Sequence, residues 1–503
     1  MAATESVRDE RSAAAASLHR SVPKETAERT LSRPQKLVLL GFLIGSAIGG
    51  WASGVLGYLT AFIAVVTIVY FAVLCFKSLL AGTSVRAGTV QVSRTELSAL
   101  SPEALPRYSV LVPLFREGSV LRTLVTNLSR LDYPRDKLQI LLLVEADDRE
   151  TIEALRHVTL MPHFEIVTVP MTYPRTKPKA CNVGLARVSG SFCVVYDAED
   201  RPEPDQLKKA VIAFRGSPES VVCFQAKLQY WNPETNLITR FFAAEYATYF
   251  NLVLPGLARW GLPVPLGGTS NHFRTGALEA MEGWDPFNVT EDIDLGMRLI
   301  RAGRLVGVLD SVTWEEANSR LGNWLRQRSR WVKGHIQTYF VHMRSPMRLL
   351  RELGPLGFLS FQITVGGTPL TLMLNPIFWA LTAVYIVTGS TLITSLYPKI
   401  VFYIGVTCMV AGNFAFMYYT MTGAMMRGLY ADVKWMFLAP LYWMLMSLAA
   451  WKAALQLIYK PHYWEKTTHG LIQEAEEGVS RFAQPSVAGA RLVAGSGDGS
   501  GDR

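Results

Sequence analysis

Gln327, Arg330 and Trp331 stand at i, i+3 and i+4 within Gln327-Arg328-Ser329-Arg330-Trp331. On a helix those three side chains share one face. An amide and a guanidinium there can grip an anionic diphosphate through charge-assisted or bidentate hydrogen bonds. An indole plate beside them can stack on the apolar face of a sugar ring. The plain alternative is an amphipathic helix at a membrane boundary, where Arg and Trp collect for reasons of solvation alone. The polar clusters upstream decide between the two.

Asp197-Ala198-Glu199-Asp200 closes an apolar run. Two carboxylates one residue apart at a strand end can hold a hard cation that also bridges phosphate oxygens, and such a cation neutralises charge building on a diphosphate leaving group. A solvated acidic loop is the competing account. Glu145-Ala146-Asp147-Asp148 closes a second apolar run, and Lys177 or Lys179 would offer a point charge near phosphate. Thr290-Glu291-Asp292 precedes the apolar helical run 293–300. It can cap that helix, or Asp292 can take a proton from a reacting hydroxyl. The glycines of Gly267-Gly268-Thr269-Ser270-Asn271 let backbone approach a ligand closely, unless they mark an ordinary turn.

Something must position these groups. Residues 108–113, 138–144, 164–169, 192–196 and 221–224 are short apolar runs that predict buried strands, with helical stretches such as 119–131 and 206–215 between them. That alternation predicts a mostly parallel α/β sheet. Ligands of such sheets sit beyond the carboxyl ends of the strands, where Glu117, Asp147 and Asp197 stand. The strand order is not legible from periodicity.

The 503 residues are 50% hydrophobic, with mean hydropathy +0.19, and the apolarity is concentrated. Residues 37–76, 353–398 and 400–426 contain no Asp, Glu, Lys or Arg. A span needs roughly 20 apolar residues, so the first stretch predicts two spans broken near Gly49–Gly54. The second is long enough for two, with Asn375-Pro376 as the break, and the third for one; 435–451 is short for a span. The net charge of +9 follows from Lys and Arg flanking these stretches, which by the positive-inside rule are cytoplasmic. Nucleic acid is therefore not the expected partner. The five cysteines form no CxxC or metal spacing, in keeping with a reducing cytosol.

The order of the polar motifs resembles that of the membrane-embedded family 2 glycosyltransferases, among them the cellulose, hyaluronan and other β-glycan synthases. The similarity covers residues 105–340. It implies a GT-A nucleotide-sugar-binding fold, inversion at the anomeric carbon and a divalent cation, Mg or Mn. Aligned on Pro202, the family's Asp-x-Asp places Asp197 and Glu199 as metal ligands, a departure at the second acid that leaves Asp200 as competitor. Asp147 stands where the family reads uracil, with Asp148 as the alternative. Lys179 and Asn182 match its Lys-Ala-x-Asn nucleotide contact, Gly268, Thr269 and Ser270 its Gly-rich acceptor segment, and Asp292 its base, with Glu291 beside it. The full Gln-x-x-Arg-Trp resembles the processive subgroup.

The layout expected is a disordered arm (1–35), a transmembrane hairpin (36–77), a cytosolic GT-A domain (78–320) and interfacial helices (321–352). A membrane region of about four spans (353–458), one of them exchangeable for a re-entrant or interfacial element, and a cytosolic tail (459–503) complete it. The function expected is transfer from a UDP-sugar to a growing β-linked polysaccharide at the inner (plasma) membrane. Single addition to a lipid-linked acceptor is the alternative.

Overall fold

The computed structural model describes residues 26–84, 89–463 and 465. The expected arm, apart from 26–35, and the expected tail, apart from 459–463 and 465, lie outside the described residues.

Eight strands form one sheet: β1 (Tyr108–Leu114), β2 (Leu138–Glu145), β3 (Phe164–Val169), β4 (Phe192–Val195), β5 (Arg201–Pro202), β6 (Val221–Tyr230), β7 (Asn271–Arg274) and β8 (Leu305–Glu315). Their order is β3-β2-β1-β4-β7-β6-β8-β5. The first four are parallel, β7 runs antiparallel to both β4 and β6, β8 is parallel to β6, and β5 is antiparallel to β8. The sheet is thus mixed but mostly parallel, as expected: β1, β2, β3, β4, β6 and β8 run the same way, and β5 and β7 run against them. Polar β7 carries no apolar run that could have announced it. Chain progression reverses on either side of β1, which makes the rim beyond β2, β1 and β4 the ligand end.

Period-two alternation sorts the core into two faces. Val110, Val112, Ile140 and Leu142 pack with Leu124 and Val211 on one. Leu111, Leu141 and Leu143 pack with Val183, Phe76 and Leu80 on the other. Phe76 and Leu80 belong to the long apolar helix Gly54–Ser84, so membrane-type helix and catalytic sheet share one core. A Cβ at Gly184 would stand 2.8 Å from Leu143, so the helix Lys177–Leu185 lies tight on the sheet and fixes where its first turn points.

Among the described residues five helices are long and apolar enough to cross a membrane: Arg33–Ala52, Gly54–Ser84, Pro346–Thr388, Lys399–Met426 and Tyr430–Tyr459. Three of them follow the domain, where about four spans, one of them exchangeable for a re-entrant or interfacial element, were expected. The break expected at Asn375-Pro376 is absent. The helix Gly367–Thr388 runs through Pro376, while the Tyr70 hydroxyl bonds the Thr371 carbonyl at 2.9 Å and Asn375 Oδ1 at 2.7 Å nearby. The kink falls instead at Gly354, whose φ of 67° is left-handed, just before Pro355.

The helix Ala439–Tyr459 touches the domain at both ends. Tyr442 donates to Glu245 at 2.6 Å, while Pro461 and Tyr463, just beyond the other end, accept from Gln337 at 2.9 Å and Lys333 at 2.7 Å. Between these points Val332 packs with Ala450 and Ala453. The helix therefore runs alongside Leu321–His342.

Candidate active site

Four elements bring their ends together. The helix Lys177–Leu185 supplies Lys177, whose amine pairs with Asp197 beyond β4 and donates to the Gly268 carbonyl at 2.6 Å. Gly268 lies against both Lys177 and Asp292: a Cβ there would stand 3.5 Å from Asp292 Oδ2 and 3.8 Å from Lys177 Nζ. Asp292 opens the helix Glu291–Arg301 and accepts from the Ile293 N–H at 2.8 Å. Arg330, on Leu321–His342, adds a guanidinium in the field of Glu291, Asp197, Asp292 and Glu199.

Two close fits hold this arrangement. Gly334 lies where any side chain would overlap Thr290, so the helix bearing Arg330 presses directly on the turn that presents Glu291 and Asp292. Buried Asp294, two residues on, accepts from Arg298 at 2.8 Å and meets His342 Nε2 at 3.0 Å, tying the same two helices together.

The field is strongly acidic. Burial pushes Asp292 up to about 6, and burial followed by the Asp292 charge pushes Glu291 up to about 8. Burial, then Asp200, Glu199 and Asp197, carry Glu315 at the end of β8 well above the carboxylate range. Burial works against the Lys177 ammonium, but Asp197 and Glu291 outweigh it and hold its pKa above the ordinary lysine value.

Several expected residues are engaged in bonds within the domain. Lys179 is buried and pairs with Glu145 at 3.0 Å, its amine also bonded to the carbonyls of Pro170 and Thr172, and with Asn182 it lines a small pocket beside Tyr173 and Pro286. Asn182 is buried, with both amide atoms on the Trp284 backbone at 2.7 and 2.9 Å. Lys177, the other lysine of the pair, faces the acids. Thr269 and Ser270 are buried; their hydroxyls bond Asp200 and Thr313, so the Gly-rich segment meets the cleft through Gly268.

The two open choices divide by burial. Asp148 is buried and caps the helix Arg149–Arg156, bonding Thr151 Oγ1 at 2.6 Å, while Asp147 pairs with Arg175 in the open, which holds its carboxyl below the usual range. Asp200 is fully buried and accepts from the Asp197 N–H at 2.8 Å, while Asp197 and Glu199 are half-buried.

On the helix Leu321–His342 the three motif residues diverge. Gln327 accepts from Asn318 at 2.7 Å, Arg330 faces the acids, and Trp331 stacks on Tyr246 with centroids 6.0 Å apart. Phe242 meets the Trp331 edge at 5.8 Å, and Arg328 lies over its ring at 4.7 Å. Glu315 and Gly334 are the positions at this site absent from the sequence-based expectations. Only the strand-end rule could have found Glu315, and it needed β8 to be recognised first.

Among the described residues no three His, Cys, Asp or Glu side chains stand together in ligating geometry. The donor set nevertheless suits a hard divalent cation. Asp197 and Glu199 present carboxylate oxygens, and buried Asp200 Oδ1 behind them has no hydrogen-bond partner. Excess acid in one cleft is the condition that a cation relieves.

Residues 106–334 match the family model described as "Glycosyltransferase like family 2". The probable glycosyltransferase YdaM of Bacillus subtilis is 27% identical over 251 residues, 49% of this chain and 60% of that protein. A β-monoglucosyldiacylglycerol synthase of Synechocystis sp. is 28% identical over 269 residues, 51% of this chain and 54% of that protein. The chain spans about half the length of the curated relatives it matches. A mannosyltransferase from Pyrobaculum calidifontis, solved with GDP-mannose and Mn²⁺, superposes with TM-score 0.52 at 20% identity, over 80% of this chain and 99% of that one. That likeness shows the GT-A-like fold. Residues 106–334 are thus similar to family 2 glycosyltransferase domains.

Proposed function

We propose that this protein is a family 2 glycosyltransferase that uses a UDP-sugar, with inversion at the anomeric carbon, to extend a β-linked polysaccharide at the cytosolic face of the inner (plasma) membrane. The observation that carries the reading is the meeting at Gly268. Lys177 holds its carbonyl, Asp197 holds Lys177, and Asp292 lies against the same residue. A donor diphosphate and an acceptor hydroxyl are the two groups such a junction can bring face to face.

In this reading Asp147 reads the nucleobase, and Lys177 and Arg330 balance the diphosphate charge. Asp197 and Glu199 would hold an Mg or Mn ion, which when bound supplies further neutralisation of the leaving group. The acceptor oxygen attacks the anomeric carbon as its bond to the diphosphate breaks, and the acceptor proton passes to Asp292. The upward shift of Asp292 to about 6 supports a base that is ionised yet receptive near neutrality. Trp331 and Tyr246, stacked on one another, offer an aromatic wall beside which a terminal sugar can rest between additions.

Single addition to a lipid-anchored acceptor is the second reading, favoured by the relative named as a glucosyldiacylglycerol synthase. Both readings use the same membrane arrangement: four crossings, with Ala439–Tyr459 lying along the cytosolic face. His462 Nε2 stands 3.0 Å from the Glu28 carbonyl, so both ends of the described chain meet on the catalytic side, as an even number of crossings requires. Single cysteines at Ser53 and Ser390 should label from outside and one at Tyr459 only from inside; outside labelling at Tyr459 contradicts the arrangement.

The function is tested by offering the purified protein, with Mg or Mn, a panel of radiolabelled UDP- and GDP-sugars and sizing the products. A labelled polymer from one UDP-sugar supports the first reading, and a labelled lipid of one added sugar the second. Incorporation only from a GDP-sugar overturns the donor assignment.

A further inference from the structure

Tyr230 and Glu315 are registered partners on β6 and β8, and the Trp231 N–H donates to the Glu315 carbonyl at 3.1 Å. Registered residues on neighbouring strands project to the same face of a sheet. The face of Tyr230 is aromatic: its ring lies 4.5 Å from that of Tyr246, which in turn stacks on Trp331. Glu315 therefore stands where the acid cleft gives way to the aromatic shelf, with Asp200, Glu199 and Asp197 behind it and the phenols of Tyr230 and Tyr246 beside it. Its carboxyl group is half-buried and makes no hydrogen bond or ion pair with any described residue. Of the carboxylates whose charge it feels, Asp197 has Lys177, and Asp200 has the Asp197 N–H and the Thr269 hydroxyl.

A carboxyl group of this kind has a disproportionate cost unless something hydrogen-bonds it. The groups that could do so are narrowed by its surroundings. A phosphate would be repelled by the acids behind it. A sugar lying on an aromatic plate presents hydroxyls at its rim, each able both to donate and to accept, which suits a carboxyl group in either protonation state.

Resting on the proposed function, we infer that Glu315 is a specificity-determining residue of the acceptor site, holding hydroxyl groups of the terminal acceptor pyranose that stacks at Trp331 and Tyr246. Losing it leaves the donor half of the reaction intact. A site built to hydrogen-bond a hydroxyl also discriminates against a sugar lacking it more sharply than an apolar pocket could.

The test uses the full-length protein in nanodiscs, titrated calorimetrically with cello-, manno- and chito-oligosaccharides and separately with UDP and GDP in the presence of Mn²⁺. For the best-bound oligosaccharide, Glu315→Ala should weaken binding at least tenfold and Glu315→Gln less, while the nucleotide Kd stays unchanged. Where turnover is measured, the rise should appear in the KM for acceptor and not for donor. Equal oligosaccharide binding by wild type, Glu315→Gln and Glu315→Ala overturns the role of Glu315 alone. Weakened nucleotide or Mn²⁺ binding with oligosaccharide binding intact overturns it in favour of a donor-side role. Wild-type protein that binds nucleotide but none of the oligosaccharides overturns the carbohydrate-acceptor reading on which the inference stands.

Discussion

Gly334 and Thr290 touch so closely that the smallest side chain at Gly334 would overlap the Thr290 side chain. The helix carrying Arg330 and the turn carrying Asp292 are therefore in mutual register, and the distance between cation and base is set by a missing methyl group. Gly334→Ala must push the two apart. Overpacking of this kind costs about 1–3 kcal/mol, and small misplacements of reacting groups cost on the order of 100-fold in rate. Transfer should fall by that order while UDP affinity changes little. Unaltered transfer with a normal melting temperature would show that the contact yields without consequence.

Lys177 and Lys179 are separated by one residue and do different work. Lys177→Met should abolish donor binding with little effect on stability, since its amine faces a cleft. Lys179→Met strands the Glu145 carboxylate in the core, where an uncompensated charge costs about 3–5 kcal/mol. It should therefore lower the melting temperature sharply, and the double variant Lys179→Met, Glu145→Leu should recover much of the loss. Thermal unfolding beside UDP calorimetry separates the two. The reverse pattern, stability loss at 177 and binding loss at 179, would reverse the assignment.

The acidic loop divides in the same manner. Glu199→Ala should weaken Mn²⁺-dependent UDP binding and leave the fold intact. Asp200→Ala removes the acceptor of the Asp197 N–H and of the Thr269 hydroxyl, so it should lower stability first and binding second. If Asp200→Ala abolishes UDP binding at normal stability while Glu199→Ala is silent, Asp200 is the ligand.

How far these features were legible follows from their physics. Strands β1, β2 and β4 were legible because each is a largely apolar run buried on both faces, and the edge strand β3 because apolar residues still dominate its short run. Gln327, Arg330 and Trp331 were legible as a motif, and Asp292 as the residue ahead of an apolar helix. Polar β7 and the placement of β8 were not, because neighbours across the sheet and not local pattern make them strands. The choice between Lys177 and Lys179 was equally hidden. It depends on which face of the helix Lys177–Leu185 meets the sheet, and that face is set by Gly184 against Leu143. Pro376 misled because a proline reads as a break, whereas here the helix continues through it.

The coupled acids give a pH signature. Asp292 titrates near 6 and Glu291 near 8, as macroscopic steps of one pair. A base works only when ionised, so transfer should fall about tenfold per pH unit below 6. Stability runs the other way. Both folded-state values lie above the unfolded ones, so the stabilisation from protonation is full below the ordinary carboxylate range and is lost as pH rises through 6 and then 8. Asp292→Asn, uncharged throughout, should melt higher than wild type at pH 8 and no higher at pH 4. A pH-independent difference in melting temperature would contradict the shift.

The central claim is that Asp292 takes the acceptor proton. It is tested most directly by measuring sugar incorporation and UDP affinity on the same preparation of Asp292→Asn. The substitution keeps size and hydrogen bonding but cannot accept a proton at neutral pH. General-base catalysis contributes on the order of 100- to 10,000-fold, so incorporation should fall within or beyond that range while the Kd for UDP with Mn²⁺ stays at its wild-type value. Near-normal incorporation would contradict the account and transfer the role to Glu291.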